Sequence, residues 1–159
     1  MEKERFLALD GLRGIAAVAV LLRHFGSAAG PVRLPESYLA VDLFFLLSGF
    51  VLAHAYEQRL RAGMSFWDFL KARFIRLYPL YFLGTAIGAA GAFWLASRNW
   101  GHAEFGEMLG SLSFNLAFLP SAFHEHNPFP YNGPAWSLFY EMLASVIFAL
   151  AAPLMGPRA

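Results

Sequence analysis

The sequence predicts an all-α membrane protein, a multi-pass bundle of transmembrane helices. Three observations carry this reading. Of 159 residues, 58% are hydrophobic and only 14% charged, with mean hydropathy +0.47. A soluble domain is nearer a quarter charged, so this chain has too little polar surface to coat a globule in water. Five apolar segments follow one another along the chain, each to be set against the roughly 20 residues that a helix needs to cross a bilayer. The Lys and Arg residues between those segments are unevenly placed, as they are in loops on opposite sides of a membrane.

The first segment runs over about Phe6–Phe25 and carries Asp10, Arg13, Arg23 and His24 within apolar sequence. It is a poor signal peptide, since those charges interrupt it and no small-residue cleavage site follows; it reads as retained. The second, about Tyr38–Tyr56, has Asp42 as its one acid. The link that follows holds Arg59, Arg61, Lys71, Arg73 and Arg76. Its later part, FWDFLKARFIRLYP, places Phe66, Leu70, Phe74 and Leu77 at helical spacing, with the cations displaced from them. This predicts an interfacial amphipathic helix leading into the third segment, Leu77–Ser97, with Pro79 in a first helical turn.

The third segment has no charge at all. The fourth, about Met108–Leu119, is short and ends at Pro120, which predicts a tilted or re-entrant helix. A longer loop with four prolines, Pro120 to Pro134, leads to the fifth, about Ala135–Met155, with Glu141 as its one acid. Lys3 and Arg5 precede the first segment, and five cations lie in the second link, against Arg33 and Arg98 on the other side. The positive-inside rule therefore expects a cytoplasmic N-terminus in the cell (inner or plasma) membrane.

Composition also narrows the chemistry. A net charge of +1 speaks against a nucleic-acid partner. Without cysteine there is neither a disulfide nor a thiolate metal site. His124 and His126 have only Glu125 between them and lack a third spaced ligand, so no metal site is expected.

Charged groups inside a membrane helix are costly, and they mark a wet cavity or a protein interior. Ten residues separate Arg13 from His24. That step turns about 1100°, roughly 20° past three full turns, so both lie on one side of a helix about 16 Å apart. Asp10 joins the same stripe. The bland alternative is that Arg13 snorkels to the interface and His24 caps the far end. A histidine suits proton transfer near neutral pH, and an arginine suits a phosphate or carboxylate.

Asp42 and Ser48 lie about 120° apart on the second helix, too far for a Ser–Asp pair. Asp42 is an even choice between an interfacial acid and a partner for His24 or Arg13. Arg73 and Arg76 are one turn apart, either ordinary topology charges or a clamp for an anionic ligand. In NGPAWSLFYEML, Pro134 starts a helix on which Ser137 and Glu141 share one face, and Trp136 and Tyr140 the adjoining one. Glu141 needs a partner inside the bundle, with Arg13 or His24 the first choices.

Four blocks in this order, LDGLRGIAAVAVLLRHF, VDLFFLLSGFVL, KARFIRLYPLYF and GPAWSLFYEM, together resemble the acyltransferase 3 family of multi-pass membrane O-acyltransferases. The resemblance spans Asp10–Met142 and implies a domain of about ten membrane helices. Residues 1–159 then form a partial domain, roughly its N-terminal half. It also implies transfer of an acyl group, often acetyl, from a cytoplasmic acyl-CoA co-substrate to a hydroxyl of a carbohydrate or glycolipid acceptor, with no permanently bound cofactor.

Carried onto this sequence, His24, Arg13, Glu141 and Asp42 form the expected catalytic set. Within it His24 deprotonates the acceptor or carries the acyl group, and Asp42 or Glu141 orients or charge-balances it. Arg73 and Arg76 are expected to bind coenzyme A phosphates, with Trp136, Ser137 and Ser48 as further substrate-binding positions. The alternative from another class is a transporter with a charged path through Asp10, Arg13, Asp42 and Glu141; the inverted repeats that would favour it are not found.

Overall fold

The computed structural model describes residues 7–25, 39–98, 102–123 and 127–154, apart from the side chains of 23–25 and 102–104. Among them there are five α-helices and no strand: α1 (Leu7–Phe25), α2 (Leu39–Arg61), α3 (Phe66–Ala96), α4 (His102–Leu116) and α5 (Ala135–Ala151), the last continued by a short 3-10 turn, Ala152–Leu154. The all-α expectation holds, with one helix for each apolar segment. Among the described residues, three helices are long and apolar enough to cross a membrane: α2, α3 and α5 extended to Leu154. Three charges interrupt α1, and α4 has 15 residues, about 22 Å, against a hydrocarbon core of about 30 Å.

The chain divides into two compact units, Met1–Arg59 and Leu60–Ala159. The first holds α1 and most of α2. Within α1, Asp10 and Arg13 face each other one turn apart at 3.7 Å, with side chains 63% and 21% exposed.

The second unit is built on α3. A turn at Gly63, whose φ of +95° suits a residue without a Cβ, closes α2 through a bond from its N–H to the Leu60 carbonyl. The Ser65 hydroxyl then accepts from the Trp67 N–H, and Asp68 sits in the first turn against the helix dipole. From there α3 runs 31 residues, about 46 Å, without interruption.

This corrects one expectation. Pro79 does not open a helix; it lies well inside α3. Its ring removes one bond to the carbonyl four residues back, at Ile75, an exposed residue. A membrane helix tolerates one such loss when its neighbours hold it, and α3 is held along its whole length. Phe69, Arg73, Leu77, Tyr81, Thr85 and Ala89 are buried at every fourth position. That row forms one ridge, which α5 and α4 pack against.

α4 ends in a Schellman turn. The Phe118 N–H reaches the Asn115 carbonyl at 2.9 Å and the Leu119 N–H reaches the Phe114 carbonyl at 2.9 Å, with Phe118 itself at φ +63°. A phenylalanine stands where glycine is usual because its ring is needed. It meets Phe74, Tyr78 and Tyr81, and lies with Phe129 and Ala135 in one core cluster.

The described parts of the segment after α4, residues 118–123 and 127–134, fold back onto α3 and α4. The Asn115 amide donates to the carbonyls of Leu119 and Pro128, both at 3.1 Å, and the Ser121 hydroxyl donates to Ser111 at 2.9 Å. Tyr78 donates to the Leu116 carbonyl and Tyr131 to the Met108 carbonyl. The backbone at Tyr131 crosses α3 so closely that a Cβ on Gly88 would lie 1.8 Å from the Tyr131 carbonyl oxygen. The helix is small there so that the loop can lie on it. His124 and His126 lie outside the described residues.

Candidate functional site

Arg73 enters the second unit from the α3 ridge and is 3% exposed. A buried cation must be paired, and the fifth helix supplies the pair. Arg73 Nη2 lies 2.6 Å from Glu141 Oε1, whose side chain is 20% exposed. Arg73 Nε donates to Ser145 Oγ at 3.2 Å, and that hydroxyl donates to the Glu141 main-chain carbonyl at 2.8 Å. Glu141 and Ser145 are four residues apart on α5 and so share a face. The result is one guanidinium held by one carboxylate and one hydroxyl, with the hydroxyl also tied to the main chain of α5. Below it Phe69 meets Phe148, with ring centroids 6.3 Å apart.

Arg76 is exposed. Three residues along a helix is a rotation of about 60° from Arg73, enough to bring it off the α5 contact. Lys71 is exposed as well. The basic start of α3 thus keeps one cation inside and presents two outside.

Toward the start of α5, Ser137 donates its hydroxyl to the Pro134 carbonyl at 2.8 Å, bracing the first turn. Trp136 and Tyr140 stand edge to face with ring centroids 6.2 Å apart, both largely exposed. Behind them the loop is anchored at Thr85, fully buried on α3, toward which the Asn132 amide points at 3.5 Å. Burial pushes the Tyr131 phenol above its usual 10, which keeps it a donor to the Met108 carbonyl.

The other expected site residues lie in the first unit. Arg13 pairs with Asp10. Asp42 is exposed in the first turn of α2, and Ser48 is half-buried further along it. His24 lies on the backbone of α1 near its end; its side chain is outside the described residues.

Within the second unit the structure brings Arg73 and Glu141 together, a pairing that the spacing of the sequence does not single out. Sequence reasoning missed Ser145. The signal was present, since a serine one turn after an intramembrane acid lies on the same face and can reach the same partner. Among the described residues no three His, Asp or Glu side chains gather as a metal ion would need.

A family model described as an acyltransferase domain matches residues 6–158. The chain is 44% identical over 164 residues to "Protein 2 in picA locus" of Rhizobium radiobacter, covering 92% of this chain and 82% of that one. It is 31% identical over 157 residues to "Acyltransferase MdmB" of Streptomyces mycarofaciens, covering 92% of this chain and 39% of that one. The chain therefore spans well under half the length of MdmB. No solved structure matches it.

Proposed function

Because this chain belongs to the acyltransferase domain family, we propose that it forms the motif-bearing part of a membrane acyltransferase that moves an acyl group, often acetyl, from acyl-CoA to a hydroxyl of a surface or exported carbohydrate. The observation that carries this reading is the Arg73–Glu141 contact. It joins two motif blocks, KARFIRLYP and WSLFYEM, which are far apart in the chain, at the basic start of α3. The last twenty residues of that helix, from Leu77, are uncharged and long enough to cross the hydrocarbon core. A donor rich in phosphate is attracted to such a basic end.

In this reading the start of α3 faces the cytoplasm and receives the coenzyme A phosphates. His24 takes the proton from the acceptor hydroxyl. The acceptor oxygen attacks the thioester carbonyl, the carbon–sulfur bond breaks, and the proton held by His24 passes to the leaving thiolate. Arg13 holds polar groups of the donor, and Trp136 and Tyr140 give the acyl or sugar portion an aromatic wall. The test is transfer of a labelled acyl group from acyl-CoA into surface glycan by membranes carrying the complete protein. Loss of label with His24→Ala at equal protein level is the expected result. Membranes that export a solute but incorporate no acyl group overturn the reading in favour of transport.

A further inference from the structure

We propose that the two arginines at the start of α3 divide their tasks: Arg73 is a positioning residue locked by Glu141 and Ser145, and Arg76 is the ligand for the anionic donor. The identity of that anion as coenzyme A rests on the acyl-transfer reading; the lock does not.

The spacing of Arg73 and Arg76 suggests a two-armed clamp, but their surroundings differ. Arg73 is almost fully buried and commits Nη2 to Glu141 and Nε to Ser145. Its charge is already matched by a carboxylate at 2.6 Å. A phosphate arriving there meets that carboxylate first, and like charges at contact repel. To displace Glu141 would leave a half-buried carboxylate without its cation, the costly half of a broken pair. The Arg73–Glu141 pair is thus electrically neutral toward a ligand, while Arg76 is exposed on the neighbouring face.

Ser145 adds orientation. By accepting from Nε and donating to the Glu141 carbonyl, it fixes the plane of the guanidinium as well as its distance. A lysine at position 73 has no second nitrogen to meet it. The lock sets the height of α5 against α3, and with it the place of the exposed Arg76 relative to the aromatic start of α5.

The experiment measures acyl-CoA kinetics of the complete protein in native membranes, and thermal denaturation of the same protein in detergent. Arg76→Ala raises the donor KM about tenfold or more, as expected for one lost charge-assisted contact, and leaves denaturation unchanged. Arg73→Met lowers kcat and the denaturation temperature but keeps the donor KM within about twofold, and the double variant Arg73→Met with Glu141→Gln recovers about half of both losses or more. Arg73→Lys recovers less than the neutral pair.

A donor KM that rises in Arg73→Met as it does in Arg76→Ala, with no recovery in the double variant, overturns the proposal. If the wild-type protein neither turns over acyl-CoA nor is stabilised by coenzyme A, the donor reading and the task given to Arg76 both fall. Denaturation then judges the lock alone, and a double variant no more stable than Arg73→Met overturns that too.

Discussion

Arg73 and Glu141, 68 residues apart in the chain, meet at 2.6 Å where α3 packs on α5, and Ser145 completes the contact from one turn further along α5. The hydroxyl both accepts and donates, so its removal leaves Arg73 Nε without its partner. Ser145→Ala is expected to cost about 1.5–3 kcal/mol of stability, the range for a bond to a charged group, while Ser145→Thr retains most of it. Thermal denaturation in detergent reads the difference.

Among the described glycines of the second unit, Gly88 is the one where an added methyl meets the closest main-chain atom. The added Cβ would overlap the Tyr131 carbonyl, a main-chain atom that cannot rotate away. The loop must lift from α3, with a loss of several kcal/mol as in overpacked cores. Gly91→Ala, where nothing lies within 4 Å, is the matched control and should be neutral or slightly stabilising. Limited proteolysis of the loop tells the two apart.

Phe118 sits at φ +63° and also fills the cluster with Tyr81 and Phe129. Truncation to alanine loses the ring yet keeps the strained conformation, at about 3–5 kcal/mol. Truncation to glycine loses the ring and relieves the strain. Phe118→Gly is therefore expected to be about 1 kcal/mol more stable than Phe118→Ala, the reverse of the usual order in a helix. Equal stabilities would remove the strain argument.

His24→Ala in the complete protein is expected to reduce acyl transfer at least about a hundredfold, the low end for general acid–base catalysis, with membrane insertion intact. His24→Gln should be nearly as poor, because an amide hydrogen-bonds but takes no proton. Full activity in His24→Ala would move the proton-transfer role to Asp42 or Glu141.

Reporter fusions after Arg61 are expected on the cytoplasmic side and fusions after Pro31 on the far side, since five cations lie between Arg59 and Arg76. The opposite pattern would place the start of α3 away from any cytoplasmic donor.

Much of this architecture is legible in the sequence because hydrophobic segment length is a direct reading of the membrane. The five helices stand where the five apolar runs stand, but several ends do not: α4 begins at His102, ahead of its apolar run, and α2 continues past Tyr56 to Arg61, through polar turns that carry no apolar signal. The continuity of α3 through Pro79 was not legible. A proline's effect depends on whether tertiary contacts hold the two halves in line, and Leu77 and Tyr81 do so from the buried ridge. The need of Glu141 for a partner was legible from cost alone, but not the partner. Several cations were available, and only the packing of α5 on α3 selects Arg73. The fold-back of the loop was hidden for a similar reason: most of its anchors are side chains reaching main-chain atoms, which leave no paired residue types to read.

Those anchors have a consequence for how the segment changes over time. Tyr78, Asn115 and Tyr131 all deliver their protons to main-chain carbonyls, those of Leu116, Leu119, Pro128 and Met108. A carbonyl is the same whatever side chain its residue bears. The receiving positions are therefore free to drift in identity, so far as these bonds are concerned, while the donating ones are not. For these four bonds only Tyr78, Asn115 and Tyr131 must be kept, whereas the Ser121–Ser111 and Asn132–Thr85 contacts tie both of their partners.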